Sequence, residues 1–480
     1  MTVPGGVCLP GDLGRVGLGL LADVVPAALV DEVLAQTGRC QVRVRRLPAR
    51  VVVYFVLALT LWSTLSYRQV WRQLTGHLPG LGRAVSRSAL SQARRRLGPQ
   101  PLRGLFDRVR GPRGVVGQPG VFFAGLRVVA WDGTTFAVAD SQANAAVFTR
   151  GSGGQDKPGG YPYARVLVLA ECGTHAVIDA RVGGNGVGEQ ELARQMLGSL
   201  GEGMLLLADR NFLSYDLWNK TRAAGAHLLW RVKANRVPKP TGGGVLADGS
   251  WLAVLPDPVA AQKRRDQARR KRFAGHDFGP PEGVPVRVVQ YTVTVHTTGD
   301  DGQPEQRTET IVLVTSLLDP ADAGAPALAE LYQQRWESEN GYRELKVFQR
   351  GAGVVLRSHD PQGVEQELWA YLITYQAMRG LLTDAAEQAA VDGDELSFTA
   401  VINVVRRKIS TGPDLPRARQ AALDEIIDER SGPRRPRTSP RTVKRPVSPY
   451  PSAKRRPGQK VTHPATCTVQ INQPKLPTRA

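Results

Sequence analysis

The order of hydrophobic and polar positions sets a helical first part of the chain apart from the rest. The run Val51–Trp62 is apolar at nearly every position. It is shorter than the roughly 20 residues of a membrane-spanning helix, so it predicts a helix buried in a core. Tyr67–Leu74 has the pattern of an amphipathic helix, and Ser86–Leu97 begins with a capping serine and carries arginines that we expect on its exposed side.

After residue 120, short strands begin to alternate with helices. Leu126–Ala130 and Met204–Ala208 are apolar runs of strand length, and an aspartate follows each of them closely. Further strands are predicted at Arg165–Ala170, Ala176–Val182 and His227–Val232, and helices at Glu189–Leu200 and Ser214–Ala224. A hairpin followed by alternating strands and helices predicts an α/β fold, in which helices pack on a mixed sheet.

Residues 233–325 interrupt this alternation. They contain Gly and Pro breaks, a strongly basic stretch at 263–272, and strand-like runs at Pro285–Val295 and Thr308–Ser316. This pattern predicts a β-rich insertion. Helix is predicted to return at Pro326, because proline is favourable in a first helical turn, and to run to about Phe348.

The C-terminal part contains one more predicted helix, Gln366–Ala389, and then a tail of different composition. Residues 431–480 include twelve Lys or Arg and ten Pro, with no Asp or Glu. Such a composition buries too little apolar surface to fold alone, so we expect a disordered basic arm.

The charge of the chain indicates a polyanionic partner. The formal net charge is +20 and the pI is near 10.2. Membrane surfaces and nucleic acids both fit, but no apolar run reaches spanning length and the N-terminus lacks the features of a secretory signal. The four cysteines are scattered without metal-ligand spacing, as expected of a reduced, cytoplasmic protein without structural zinc. We therefore expect nucleic acid, and no membrane, as the partner.

Two aspartates stand where predicted strands end. Asp132 follows Leu126–Trp131, and Asp209 follows Met204–Ala208. If the two strands are neighbours, the carboxylates converge and offer the hard oxygen ligands that Mg²⁺ or Mn²⁺ prefers. Taken singly, an Asp at a strand end is more often a turn former than a metal ligand, and Trp131-Asp132-Gly133 has the composition of a turn.

The predicted helix Pro326–Phe348 places four polar residues on one face. Tyr332, Arg335, Glu339 and Lys346 fall within an arc of roughly 60° at about 100° per residue. Glu337 and Glu344 point away from this arc and are expected to meet solvent. The stripe sets one carboxylate beside two cations and a phenol, which suits phosphate binding next to a metal. An ordinary Arg335–Glu339 ion pair along the helix explains the spacing equally well.

These motifs together resemble the insertion-sequence-four family of bacterial DDE transposases. The resemblance rests on Asp132-Gly-Thr, on Ala208-Asp209-Arg-Asn-Phe212, and on the signature Tyr332-x2-Arg335-x3-Glu339-x6-Lys346, which matches at all four positions. It covers about residues 15–400. It implies an RNase H-like mixed sheet flanked by helices. The domains expected are a helical DNA-binding region at 1–115, a catalytic core at 120–232 and 326–400, a β-rich insertion at 233–325, and the disordered basic tail at 431–480.

The resemblance also implies a site and its partners. Asp132, Asp209 and Glu339 are expected to be catalytic and to hold two Mg²⁺ ions, for which Mn²⁺ substitutes. Tyr332, Arg335 and Lys346 are expected to bind DNA. The expected partners are double-stranded inverted-repeat ends and target DNA, bound by a homodimer in the bacterial cytoplasm at the nucleoid. The expected reaction is DNA cleavage and strand transfer.

Three other functions fit parts of the pattern. A nuclease on the same fold would cut without joining, and a strand-transfer assay with pre-cut ends separates the two. A non-catalytic DNA-binding protein would have no need to keep all three acidic residues, which are present here. A glycosidase with paired carboxylates fits poorly with a charge of +20 and 6% aromatic residues.

Asn211 and Trp251 are two further positions with a possible bearing on the site. The family usually has Gly or Ala two residues after the second aspartate, where this chain has Asn211. Asn tolerates the positive φ that a glycine would supply there. Trp251 is placed by its position in the insertion as a candidate for stacking on a flipped base, although a core tryptophan is the favoured interpretation.

Overall fold

The computed structural model describes residues 16–40, 47–78, 85–150, 160–270, 282–298, 304–332, 344–351, 353–409, 415–430 and 466–474. The chain forms two compact units. The first comprises Met1–Val121, Gly133–Gly188 and Ser338–Pro433, and the second comprises Phe122–Asp132, Glu189–Glu337 and Arg434–Ala480.

The first unit is mainly helical. Its α-helices are α1 Ala27–Gln36, α2 Ala49–Leu61, α3 Tyr67–Thr75, α4 Arg87–Leu97, α5 Gln100–Val109, α6 Gln142–Val147, α11 Pro361–Ala389, α12 Phe398–Arg407 and α13 Leu415–Asp428. The long helix α11 packs against α2, α5, α12 and α13 and forms the centre of the core. Every residue of α2 except Arg50 is buried, which confirms the buried helix predicted from the apolar run.

Local sequence signals set where these helices begin. Ser66 caps α3 in a capping box with Gln69. The predicted cap of α4 is also present, because Ser86 accepts a hydrogen bond from Ala89 N. Asp360 caps α11, so that helix begins five residues before the predicted Gln366. One expectation for α4 was wrong: Arg94 is buried, because it bonds Gln366 and Tyr67 inside the unit.

Strands β2 Leu126–Ala137, β3 Tyr163–Glu171 and β4 Val177–Gly184 lie in the order β4-β3-β2, and β2 contributes residues to both units. The β3–β4 pair is antiparallel, which confirms the predicted hairpin. The turn predicted at Trp131-Asp132-Gly133 is wrong, since β2 continues through it. Alternate side chains at Thr134, Phe136 and Val138 are buried there, and this burial favours extended backbone over a turn.

The second unit is built on a sheet ordered β2-β5-β6-β10-β9-β8-β7, with β1 paired to β2. Its remaining elements are β1 Phe122–Phe123, α7 Glu189–Arg194, β5 Met204–Ala208, α8 Tyr215–Ala223, β6 His227–Arg231, β7 Pro240–Val245, β8 Trp251–Pro256, α9 Pro258–Arg270, β9 Gly283–Thr298, β10 Pro304–Thr315 and α10, helical at 325–332. The strands β2, β5 and β6 are parallel, and β10 runs antiparallel to β6. The mixed α/β, RNase H-like fold class is confirmed.

The tail contains a strand that its composition did not predict. β11 Thr466–Ile471 pairs antiparallel with β9, from Thr466 opposite His296 to Ile471 opposite Tyr291. The expectation of disorder is therefore wrong for these six residues. Their sequence, Thr-Cys-Thr-Val-Gln-Ile, is rich in β-branched residues, and such a segment forms a strand when an existing edge supplies the hydrogen bonds. None of the helices in the described ranges is both long and apolar enough to cross a bilayer.

Candidate functional site

Asp132 and Asp209 each lie two residues beyond the last paired positions of two adjacent parallel strands, β2 and β5. Arg127 of β2 lies opposite Met204 of β5, and the pairing continues to Ala130 opposite Leu207. The same register, continued by two residues, places Asp132 opposite Asp209. Neighbouring strands are about 4.8 Å apart and paired residues of parallel strands face the same side, so a continued register would direct both carboxylates to one side of the sheet. Both residues are half-buried.

The two aspartates are held in different ways. Asp132 lies within β2, whereas Asp209 is the first residue after β5. Behind Asp209 the chain turns, with Phe212 N donating to the Asp209 carbonyl at 3.0 Å. The Asp209 carboxylate also accepts from Arg210 N at 2.6 Å, which fixes it close to its own backbone.

An aromatic row lies on the opposite side of these strand ends. Trp131 and Trp230 are fully buried, and their rings are 6.0 Å apart. Ala208 pairs with Trp230 on β6, and its small side chain leaves room for the two indoles to meet across β5. Phe212 packs on Trp131 at 5.6 Å. Because side chains alternate along a strand, this packing fixes the backbone from which Asp132 projects to the other side.

Tyr332 is also tied to the end of β5. It is fully buried, and its hydroxyl donates to the Ala208 carbonyl at 3.2 Å. The expected contact of Tyr332 with DNA does not agree with this placement, because a phenol with no exposed surface does not reach a phosphate. In the structure Tyr332 links α10 to the residue that precedes Asp209.

The rest of the predicted stripe falls largely outside the described residues. Arg335 and Glu339 lie in 333–343, and of Lys346 only the backbone is described. Glu344–Gln349 is a π-helix rather than an α-helix, so angles computed at 100° per residue do not extend through Lys346. The expectation that Glu344 meets solvent was wrong: it is buried and pairs with Arg379.

The aspartate pair has the chemistry of a divalent-metal site. Carboxylate oxygens on rigid backbone, one within β2 and one directly after β5, are suitable ligands for Mg²⁺ or Mn²⁺ when they are partly open to solvent. Among the described residues no group of three or more His, Cys, Asp or Glu is placed to hold a metal ion. The expected third ligand, Glu339, belongs to the part of the chain outside that description.

A polar cleft of about 450 Å³ lies within the first unit. Arg87, Ser91 and Arg95 of α4 line it at intervals of four residues, so they share one face of the helix. Arg87 and Arg95 are exposed, and the loop before α11 contributes the exposed His359. The Asp360 carboxylate also lines the cleft, but it is engaged in capping α11. Sequence reasoning identified the arginine-rich helix but not the loop that faces it, which is far away in the chain.

Asn211 and Trp251 both have ordinary structural surroundings. Asn211 is not among the residues with positive φ, so the turn after Asp209 does not need a glycine. Trp251 is buried and donates its indole N–H to Pro238 O at 3.1 Å. Trp251 is therefore a core residue, as favoured from the sequence.

Comparison with family models gives two matches along the chain. Residues 15–107 match the model described as insertion element 4 transposase N-terminal. Residues 124–376 match the model described as transposase DDE domain.

Individual proteins are also similar. The transposase InsG for insertion sequence element IS4 of Escherichia coli (strain K12) is 29% identical over 442 residues, covering 90% of this chain and 93% of that protein. The putative transposase InsZ of the same organism is 27% identical over 219 residues, covering 45% of this chain and 71% of that protein. Among solved structures, a piggyBac transposase synaptic complex with hairpin DNA matches with a TM-score of 0.42 and 11% identity, over 85% of this chain and 84% of that one.

Proposed function

We propose catalytic carboxylates for this chain, which belongs to the insertion element 4 family of DDE transposases. They are Asp132, Asp209 and Glu339. The protein is an enzyme of DNA transposition that cleaves DNA strands and transfers them. The single observation that supports the site is the parallel register of β2 and β5, paired up to Ala130 and Leu207, whose continuation by two residues reaches Asp132 and Asp209. Glu339 enters the proposal through the signature in the sequence.

DDE transposases generally use a divalent metal, and we propose two Mg²⁺ ions here, with Mn²⁺ as a substitute. Asp132 and Asp209 would hold them together with Glu339. When bound, such ions lower the pKa of water and stabilise charge on phosphate oxygens. Asp132 and Asp209 would supply negatively charged oxygens from packed backbone within β2 and next to β5, so little reorganisation is needed on binding.

Two phosphodiester reactions follow from such a site. Hydrolysis of one bond at the element's end frees a 3′-hydroxyl. Attack by this hydroxyl on a second phosphodiester joins the strands while another 3′-oxygen leaves. The number of phosphodiester bonds is conserved in the joining step, so no external energy source is required.

DNA recognition is proposed to involve three regions. Arg335 and Lys346 contact phosphates near the carboxylates, by their place in the signature. Tyr332 is assigned a positioning role instead, because it is buried against Ala208. The exposed Arg87 and Arg95 of the cleft supply further phosphate contacts.

The substrate and assembly are proposed in finer terms as well. We infer that the enzyme acts on double-stranded inverted-repeat ends and target DNA as a homodimer, since two ends must be brought together. It would act at the nucleoid in the bacterial cytoplasm. We propose the domain boundaries expected from the sequence. They are a helical DNA-binding region at 1–115, a catalytic core at 120–232 and 326–400, a β-rich insertion at 233–325, and a basic tail at 431–480.

The substitution Asp132→Asn tests the site. It removes a charge while it preserves side-chain shape, so strand cleavage in Mg²⁺ should be lost while binding to a terminal-repeat duplex is retained. Titration calorimetry with Mn²⁺ should show weakened binding, independently of activity. Asp140→Asn is the matched control, because Asp140 is an exposed carboxylate paired with Arg150 at 2.5 Å. Cleavage by Asp132→Asn at the wild-type rate would overturn the assignment.

A further inference from the structure

The segment Glu344–Gln349 is π-helical and contains Lys346. The wider turn is visible in the backbone, where Arg350 N donates to Leu345 O, five residues earlier, at 3.2 Å. Single π turns are rare and are often found at functional sites. Both ends of this π-helical turn are bound to α11.

The first end is held by a buried ion pair. Glu344 and Arg379 are 5% and 2% exposed, and their side chains are bonded to each other. Tyr375 donates its hydroxyl to the same Glu344 oxygen at 3.4 Å, and Arg379 Nε donates to Tyr375 Oη at 3.2 Å. Burial disfavours the charge of Arg379, but the Glu344 carboxylate offsets this and the pKa of Arg379 is raised.

Two more titratable groups face this pair. His175 Nδ1 is 3.9 Å from the Glu344 carboxylate and also contacts Arg379. His175 Nε2 is 3.7 Å from Asp394 Oδ1. The ion pair is thus enclosed by His175, from the turn before β4, and by Asp394, from the chain after α11. The Arg379 guanidinium also lies 5.3 Å from the centre of the Phe398 ring.

The second end is held by an amide. Gln349 is buried, and its Nε2 donates to Thr374 Oγ1 at 2.7 Å and to Tyr371 O at 3.3 Å. The four partners on α11 are at 371, 374, 375 and 379, which is one face of a helix. The backbone of Lys346 therefore lies between two anchors on the same rigid helix.

We propose that Glu344 and Arg379 are positioning residues, which together with Gln349 fix the π-helical segment so that Lys346 is presented to a DNA phosphate. This inference rests on the proposed function of Lys346. A buried ion pair adds little net stability compared with apolar residues of similar volume, but its hydrogen bonds constrain direction. A lysine that binds phosphate from an unusual turn requires a backbone held in one orientation, and these hydrogen bonds supply it.

A double-mutant cycle tests the inference. Wild type, Glu344→Gln, Lys346→Ala and the double variant are compared by fluorescence anisotropy on a labelled terminal-repeat duplex over a range of salt concentrations. Lys346→Ala should reduce the slope of log K against log salt by about one, as for the loss of one phosphate contact. Glu344→Gln should produce most of that change, and the double variant should equal Lys346→Ala alone, because both act through one contact.

Asp179→Asn is the matched control for simple destabilisation. Asp179 is a fully buried carboxylate on β4, bonded to Arg181 at 2.5 Å and to Arg110 at 3.0 Å. It should lower the free energy of unfolding and leave the salt slope unchanged. If Glu344→Gln does not fold, Arg379→Lys replaces it in the cycle, since it keeps the charge but loses the bonding geometry.

The outcomes separate the inference from its premise. An unchanged slope for Lys346→Ala refutes the proposed role of Lys346 and the inference with it. The positioning role alone is refuted if Lys346→Ala lowers the salt slope by about one but Glu344→Gln leaves the slope unchanged. It is also refuted if the effects of the two substitutions add in the double variant.

Discussion

Tyr332→Phe distinguishes a positioning tyrosine from a DNA-binding one. The substitution removes one hydroxyl and keeps the ring, which is fully buried in the second unit. The hydroxyl donates to the Ala208 carbonyl at 3.2 Å, next to Asp209. A phosphate ligand would lose affinity for DNA on this change, whereas a buried positioning residue would lose stability.

The expected loss follows from the type of hydrogen bond. Donor and acceptor are uncharged and buried, and a bond of this kind contributes about 0.5–1.5 kcal/mol net to the free energy of unfolding. The packing of the ring is unchanged, so no cavity term adds to this figure. We expect a decrease of about 1 kcal/mol in urea unfolding, unchanged affinity for a terminal-repeat duplex, and slower cleavage as Asp209 becomes less well fixed.

Tyr54→Phe is the matched control. Tyr54 is buried in the first unit, and its hydroxyl donates to Val25 O at 3.3 Å, which is nearly the same bond far from the carboxylates in sequence. It should lose a similar amount of stability and retain wild-type cleavage. If Tyr332→Phe weakens duplex binding and leaves the free energy of unfolding unchanged, Tyr332 contacts DNA and the positioning argument is wrong.

Three further predictions concern other parts of the chain. Ala208→Leu overfills the space between Trp131 and Trp230, so urea unfolding should show a loss of about 1–3 kcal/mol; unchanged stability would mean that the indoles do not meet across β5. Arg95→Ala should lower the slope of log K against log salt by about one in duplex binding, and an unchanged slope would exclude the cleft from the DNA interface. Thr468→Pro removes an N–H that points at β9, because the N–H groups of β11 alternate in direction and the Asn472 N–H donates to Gln290 O; hydrogen exchange at the paired end of β9 should therefore accelerate, and unchanged protection would show that β11 does not cover that edge.

Much of the local structure was determined by the sequence alone. The buried helix α2, the serine cap of α4, and strands β5 and β6 were all predicted close to their observed bounds. These features depend on neighbouring residues, namely periodicity of apolar positions and side chains that bond the adjacent backbone. The signature residues were found in the same way, because they were recognised by spacing along the chain.

Tertiary structure decided which of these residues meet and which are buried. Only tertiary structure decided that β2 pairs with β5, the strands that lead to Asp132 and Asp209, since residues so far apart in the chain have no local pattern that sets their register. The predicted turn at Asp132 became a strand for the same reason. Tyr332 and Glu344 were expected at solvent or DNA and are buried instead, because Ala208 and Arg379 offer them bonding partners that lie far away in the sequence. Helical spacing specifies a face of a helix, but packing specifies what that face touches.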